Sequence, residues 1–192
     1  NKRWSCNWKH PQGRLNHPIN CVDWEQAATF CRWKGKRLPT THEWQYAARG
    51  GTEGRPYPWG SDPIRAWRAN ACDAECARDQ IAVYFMPIHS AEVKSIYATG
   101  PNPTESDGYA DSAPVGSFPQ GASKDGVLDL AGNVMEWTAP TLRDHAIAKS
   151  GRELALGGSW VDNDPTDLRS DQGQIAPEPS FRSADLGFRC AR

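Results

Sequence analysis

Three aspartates, Asp162, Asp164 and Asp167, follow the turn Gly157-Gly158-Ser159-Trp160. With His145 and His89 from elsewhere in the chain they could assemble a hard metal site. They could also serve as an acid–base pair, provided their surroundings split their proton affinities. The plainer reading is an acidic loop facing water. A second set lies around a tight Gly-Asn turn, where Asp129, Gly132, Val134 and Glu136 fall within eight residues. Two carboxylates with neighbouring backbone carbonyls are the hard oxygen ligands that Ca2+ takes. The alternative is a pair of solvated turn residues. Six cysteines, at positions 6, 21, 31, 72, 76 and 190, complete the inventory. Reduced buried thiols and a zinc site are both open, but no Cys-x2-Cys is present and no His lies close to Cys72 or Cys76. Disulfides are favoured, and they imply an oxidising compartment, the periplasm or the cell exterior.

The elements that must position these groups are few. The 192 residues fit one domain, and 38% hydrophobic content with nine Trp, 17 Gly and 15 Pro predicts a loop-rich fold packed around indoles. Asp23, with Gln26 three residues on, caps a predicted helix through about Lys34, which Gly35 ends. Its apolar stripe is Trp24, Ala27, Ala28 and Cys31. Thr40 and Glu43 cap a second helix, ended by Gly50-Gly51, whose buried face is Trp44, Ala47 and Ala48. Short strands are predicted at 113–118, 153–156 and 186–192, with an apolar run at 81–86. A net charge of −1 with acids and bases interspersed excludes the basic stripe of a nucleic-acid binder. No apolar run approaches the roughly 20 residues that cross a bilayer. The chain opens at Asn1 without a signal-peptide pattern, so a processed product or a fragment is expected.

Several blocks, in order, resemble the formylglycine-generating enzyme (sulfatase-modifying factor) family. They are His17-Pro18-Ile19-Asn20-Cys21-Val22-Asp23-Trp24, Gly35-Lys36-Arg37-Leu38-Pro39-Thr40, Glu43-Trp44 with Ala47 to Gly51, and Tyr57-Pro58-Trp59-Gly60. Ala69-Asn70, Ala113-Pro114-Val115, Gly132-Asn133-Val134-Met135-Glu136-Trp137, the Gly157 turn and Leu186-Gly187-Phe188-Arg189-Cys190 follow. The resemblance runs from about residue 17 to the end. It implies an α+β fold related to C-type lectins, with two main helices, few short strands and much ordered loop. One domain over 1–192 is expected, a fragment without the family's N-terminal portion.

The resemblance also implies ligands and pairings. A structural calcium would use the Asp129 and Glu136 side chains with the Gly132 and Val134 carbonyls. A second would use the Asn70 and Asp107 side chains with the Ala71 and Tyr109 carbonyls, with 72–106 as an insertion between them. Cys31 and Cys190 match a family disulfide; sequence proximity then suggests Cys72–Cys76 and Cys6–Cys21. In the family's oxidases two cysteines after the Gly-Gly-Ser turn bind copper(I), and those two places are Asp162 and Asp167 here. Carboxylates do not suit Cu(I), and Met135 stands where an indole is usual, so no copper is expected. Family relatives in ergothioneine synthesis use iron, but their histidines sit on a separate domain.

The expectation is therefore a binding module without the oxidase activity. Its surface would be the 160–183 loop, with Ser159, Trp160, Asp162, Asn163, Asp164 and Asp167 facing a peptide, protein or polar ligand. The alternatives are an enzyme of the family with oxidase or other metal-dependent activity on a non-cysteine site, and a purely structural domain. A weaker resemblance is to the variable proteins of diversity-generating retroelements.

Overall fold

Two capping boxes start the two helices. In the first, Asp23 Oδ1 accepts from Gln26 N at 2.8 Å while Gln26 Oε1 accepts from Asp23 N at 3.1 Å, and α1 runs Trp24–Trp33. In the second, Thr40 Oγ1 accepts from Glu43 N at 3.2 Å and Glu43 Oε2 from Thr40 N at 2.9 Å, opening α2 at Thr41–Ala48. Each box satisfies donors that a helix start leaves unpaired. The structure, a computed structural model, describes residues 6–9, 11–72, 76, 105–141, 152–175 and 178–192.

Four three-residue strands form one sheet: β1 Met135–Trp137, β2 Leu154–Leu156, β3 Gly173–Ile175 and β4 Leu186–Phe188, in the order β3-β2-β1-β4. β1 runs antiparallel to β2 and parallel to β4, which sets Glu136 beside Leu156 on one side and Gly187 on the other. α1 packs on this sheet through Ala27, Ala28 and Cys31, against Met135, Trp137, Ala155 and Leu186. Trp44 and Ala48 of α2 pack on Leu130 and Leu156. Two indoles of this core donate to backbone carbonyls, the polar handle of an amphipathic ring: Trp24 Nε1 to Thr138 O at 2.8 Å and Trp137 Nε1 to Val22 O at 2.9 Å.

All six cysteines are paired, as Cys6–Cys21, Cys31–Cys190 and Cys72–Cys76. The second joins residues 159 apart in sequence and ties the last strand to α1.

The strand expected at 113–118 is a turn instead. Pro114 has no N–H to give a ladder, Ser117 N closes back on Pro114 O at 3.2 Å, and Gly116 has φ of 79°. β1 carries no alternating signal because Met135, Glu136 and Trp137 are all buried; a strand covered on both faces loses the period of two. Of the predicted 186–192 strand, the first three residues are in the sheet, and Ala191 pairs separately with Arg37. The apolar run at 81–86 lies outside the described residues. No described helix is long and apolar enough to cross a membrane.

Candidate functional site

β2 delivers the chain to Gly157 and Gly158, both with positive φ, 99° and 63°. A Cβ at Gly158 would lie 2.8 Å from Asp167 O and 3.2 Å from Asp162 Oδ2. Only glycine fits there, and its bare backbone lets the two ends of the acidic loop close on one point. Asp162 Oδ2 is bound into the turn by Ser159 N at 2.7 Å and Ser159 Oγ at 3.1 Å. Its carbonyl accepts from Cys72 N at 3.0 Å, so Cys72, paired with Cys76, is anchored on the loop. Asp164 Oδ1 accepts from Thr166 N and Oγ1 at 2.9 and 2.8 Å, and Asp167 N donates to Asp164 O at 3.0 Å.

The electrostatics follow from this packing. Burial, aided by Asp167 and Asp185, pushes the Asp162 carboxyl up to about 6. Burial and then Asp164 raise Asp167, whereas the Thr166 backbone and hydroxyl donors lower Asp164. Asp162 and Asp167 are thus moved the same way, not apart. Asp162 and Asp164, in contrast, are moved apart. His145 and His89 lie outside the described residues. Among the described residues no group of three or more His, Cys, Asp or Glu is placed to hold a metal.

Two of the expected surface residues are not on the surface. Ser159 is fully buried and Trp160 is 3% exposed, packed with Val134, Cys72 and Cys76. Trp160 N donates to Asn133 O at 3.0 Å, so this pair belongs to the frame. A large apolar ring beside a closing turn is worth more in the core than in water. Asn163, Asp164, Thr166 and Asp167 remain at least partly accessible. Tyr57 joins them, a residue that the sequence offered only within the block Tyr57-Pro58-Trp59-Gly60. Its hydroxyl donates to Pro165 O at 3.2 Å, and its ring stacks on Trp59 at 5.2 Å.

The two candidate calcium sets lie back to back. Asn133 N donates to Asn70 O at 2.8 Å, and a Cβ on Gly132 would sit 2.1 Å from that same carbonyl oxygen. Asn70 Oδ1 and Asp129 Oδ1 are each shut from water without a hydrogen-bond partner. Orphaned oxygens of this kind are costly, and a small hard cation satisfies them. Asn70 Nδ2 donates to Asp111 O at 2.9 Å and Asp107 Oδ1 accepts from Tyr109 N at 2.8 Å, orienting both side chains. Glu136 is different. Arg189 donates to both its oxygens, at 2.5 and 2.6 Å, Trp44 Nε1 adds a third donor at 2.7 Å, and Arg189 also reaches the carbonyls of Leu128 and Asp129 at 3.0 Å. The unpartnered oxygens of Asp129 and Asn70 each suit a hard cation in their own set; Glu136, as the structure holds it, already has its cation in Arg189.

A loop-rich α+β domain with a Gly-Gly-Ser-Trp turn locked onto a Gly-Asn-Val turn defines the class of fold built around the formylglycine-generating enzymes. The chain belongs to that family: the sulfatase-modifying factor enzyme 1-like domain matches residues 1–192. It is 33% identical to the formylglycine-generating enzyme of Streptomyces coelicolor, over 96% of this chain and 58% of that one. It is 32% identical to the inactive C-alpha-formylglycine-generating enzyme 2 of Bos taurus, over 96% and 55%. The solved structure of PvdO from Pseudomonas aeruginosa superposes with a TM-score of 0.61 at 28% identity, over 90% of this chain and 60% of that one. The chain spans a little over half the length of the curated relatives it matches.

Proposed function

We propose that this chain is a binding module on the formylglycine-generating enzyme scaffold that does not carry out cysteine oxidation. The observation that carries the proposal is the chemistry at 162 and 167. The Asp162 carboxylate and the Asp167 backbone carbonyl meet at the Gly158 turn, the Asp162 side chain is bound into its own turn by Ser159, and every cysteine of the chain is in a disulfide. A soft dithiolate site has no donors there. A relative of similar identity is itself named an inactive formylglycine-generating enzyme.

The ligand surface is the accessible part of the loop: Asn163, Asp164, Thr166 and Asp167, with the Tyr57 ring beside them. Loops held this firmly by a frame commonly carry recognition. A peptide, protein or polar ligand suits its mix of acids, amide and hydroxyls. Structural calcium in each of the two sets, at Asp129 and at Asn70, would fix the neighbouring loops, and the three disulfides support an oxidising compartment, periplasmic or extracellular.

An NMR titration with a cysteine-containing sulfatase-type peptide tests the reading. Shifts confined to residues 163–167 and Tyr57, lost in Asp164→Ala and Asp167→Ala while the fold is kept, support it. Conversion of the peptide during the titration overturns it.

A further inference from the structure

The C-terminal end of α1 carries two large aromatic side chains into water. Trp33 is 72% exposed and Phe30 44% exposed. Their rings lie 5.7 Å apart, and Phe30 meets Phe188 of β4 edge-on at 5.5 Å, so they form one patch held to the sheet. Lys34 Nζ sits 4.2 Å from the Trp33 ring centre and 6.0 Å from that of Phe30.

The charges near this patch that no described residue pairs are of one sign. Arg32 is paired with Glu25 and Arg37 with Glu43; Lys34 and Lys36 are both exposed and, among the described residues, have no acidic partner. Arg192, also exposed, stands next to Ala191 in the Ala191–Arg37 pairing and so opposite Lys36. In a chain whose net charge is −1, the local excess of cations beside bare indole and phenyl rings is a segregated feature.

We propose that this helix end docks on an anionic lipid surface. Tryptophan and phenylalanine with lysines alongside match the layered chemistry of a membrane interface: rings at the headgroup level, ammonium groups on the phosphates, aliphatic stems between. The size of the patch favours lipid over a protein partner. A specific protein interface covers about 800 Å² per side with matched shape, and two rings on a helix end fall short of that. A fluid interface demands no such match. Each lysine near an anionic leaflet contributes about a fivefold gain in partition, an attraction that salt weakens.

Sedimentation of the whole chain with vesicles tests the proposal. Phosphatidylcholine vesicles carrying phosphatidylglycerol should bring the protein down, and pure phosphatidylcholine should not. Lys34→Gln and Lys36→Gln should each weaken binding about fivefold, Trp33→Ala should weaken it further, and added salt should reverse it. All three side chains are exposed, so unchanged circular dichroism and melting will show that the variants are folded. Equal binding to both vesicle types, or none to the anionic ones, overturns the proposal. So does a change in Trp33-dependent emission with inorganic phosphate alone, which marks a soluble-anion site. A dimer seen by ultracentrifugation and abolished by Trp33→Ala would assign the patch to a second copy of the chain and overturn it as well.

Discussion

Replacing Asp162 by asparagine isolates what it costs to keep a carboxylate at the centre of the Gly-Gly-Ser turn. Burial, with Asp167 and Asp185 nearby, raises this group from 3.8 to about 6. The folded chain therefore holds the proton more tightly than the unfolded chain does. As pH rises from about 4 to about 6, the native state must give up a proton that the unfolded state has already lost, and stability falls by about 1.4 kcal/mol per pH unit. The full loss is about 3 kcal/mol, and partial solvent access to the loop reduces it to about 2. Asparagine keeps an oxygen that can accept from Ser159 N and Oγ, without the charge. Asp162→Asn should thus be more stable than the parent by about 2 kcal/mol near pH 8, a rise in Tm of roughly 4–8 °C for a chain of this length. Near pH 3.5 the two should melt together, because both side chains are then neutral. Circular dichroism melts across that pH range make the comparison. A variant that is less stable near pH 8, or a difference that does not change with pH, would refute the assignment of Asp162 as a buried, strained carboxylate.

Three further outcomes follow from the packing. Removing the long staple as Cys31→Ala with Cys190→Ala should cost up to about 5 kcal/mol in denaturant unfolding, and an unchanged midpoint would show that the disulfide does not hold β4 to α1. Arg189→Gln leaves Glu136 buried with only Trp44 as a donor, so it should destabilise by about 3–5 kcal/mol; Glu136→Gln in the same background should recover much of that loss. Calcium at 100 times its Kd should raise the stability of the parent by about 2.7 kcal/mol. Asn70→Ala and Asp129→Ala should each shrink that rise in calorimetry, and equal rises in all three proteins would remove both oxygens as ligands.

What the sequence made legible was local. Asp23 with Gln26 and Thr40 with Glu43 are reciprocal within four residues, so both helix starts could be read before any packing was known. The Gly-Gly turn and the paired aspartates were likewise visible as spacing. What stayed hidden depends on distant partners. β1 is buried on both faces between β2 and β4 and gives no alternation, and 113–118 reads as a strand until Pro114 and Gly116 are seen to close a turn. At the site, Trp160 looked like a recognition residue because it neighbours Asp162, yet it fills the space against Val134 and the Cys72–Cys76 pair. In the sequence Arg189 stands out only within the closing motif Leu186-Gly187-Phe188-Arg189-Cys190. Its role appears when β4 is set parallel to β1, which brings its guanidinium onto Glu136, 53 residues earlier.

Mass spectrometry of a cysteine-containing sulfatase-type peptide, incubated with the protein, Cu(I), a thiol reductant and oxygen, tests the central claim most directly. With Asp162 and Asp167 in the place of a thiol pair, the peptide cysteine should emerge with its mass unchanged. A product whose mass matches conversion of that cysteine to formylglycine, formed only when the protein is present, would contradict the account and return this chain to the oxidases of its family.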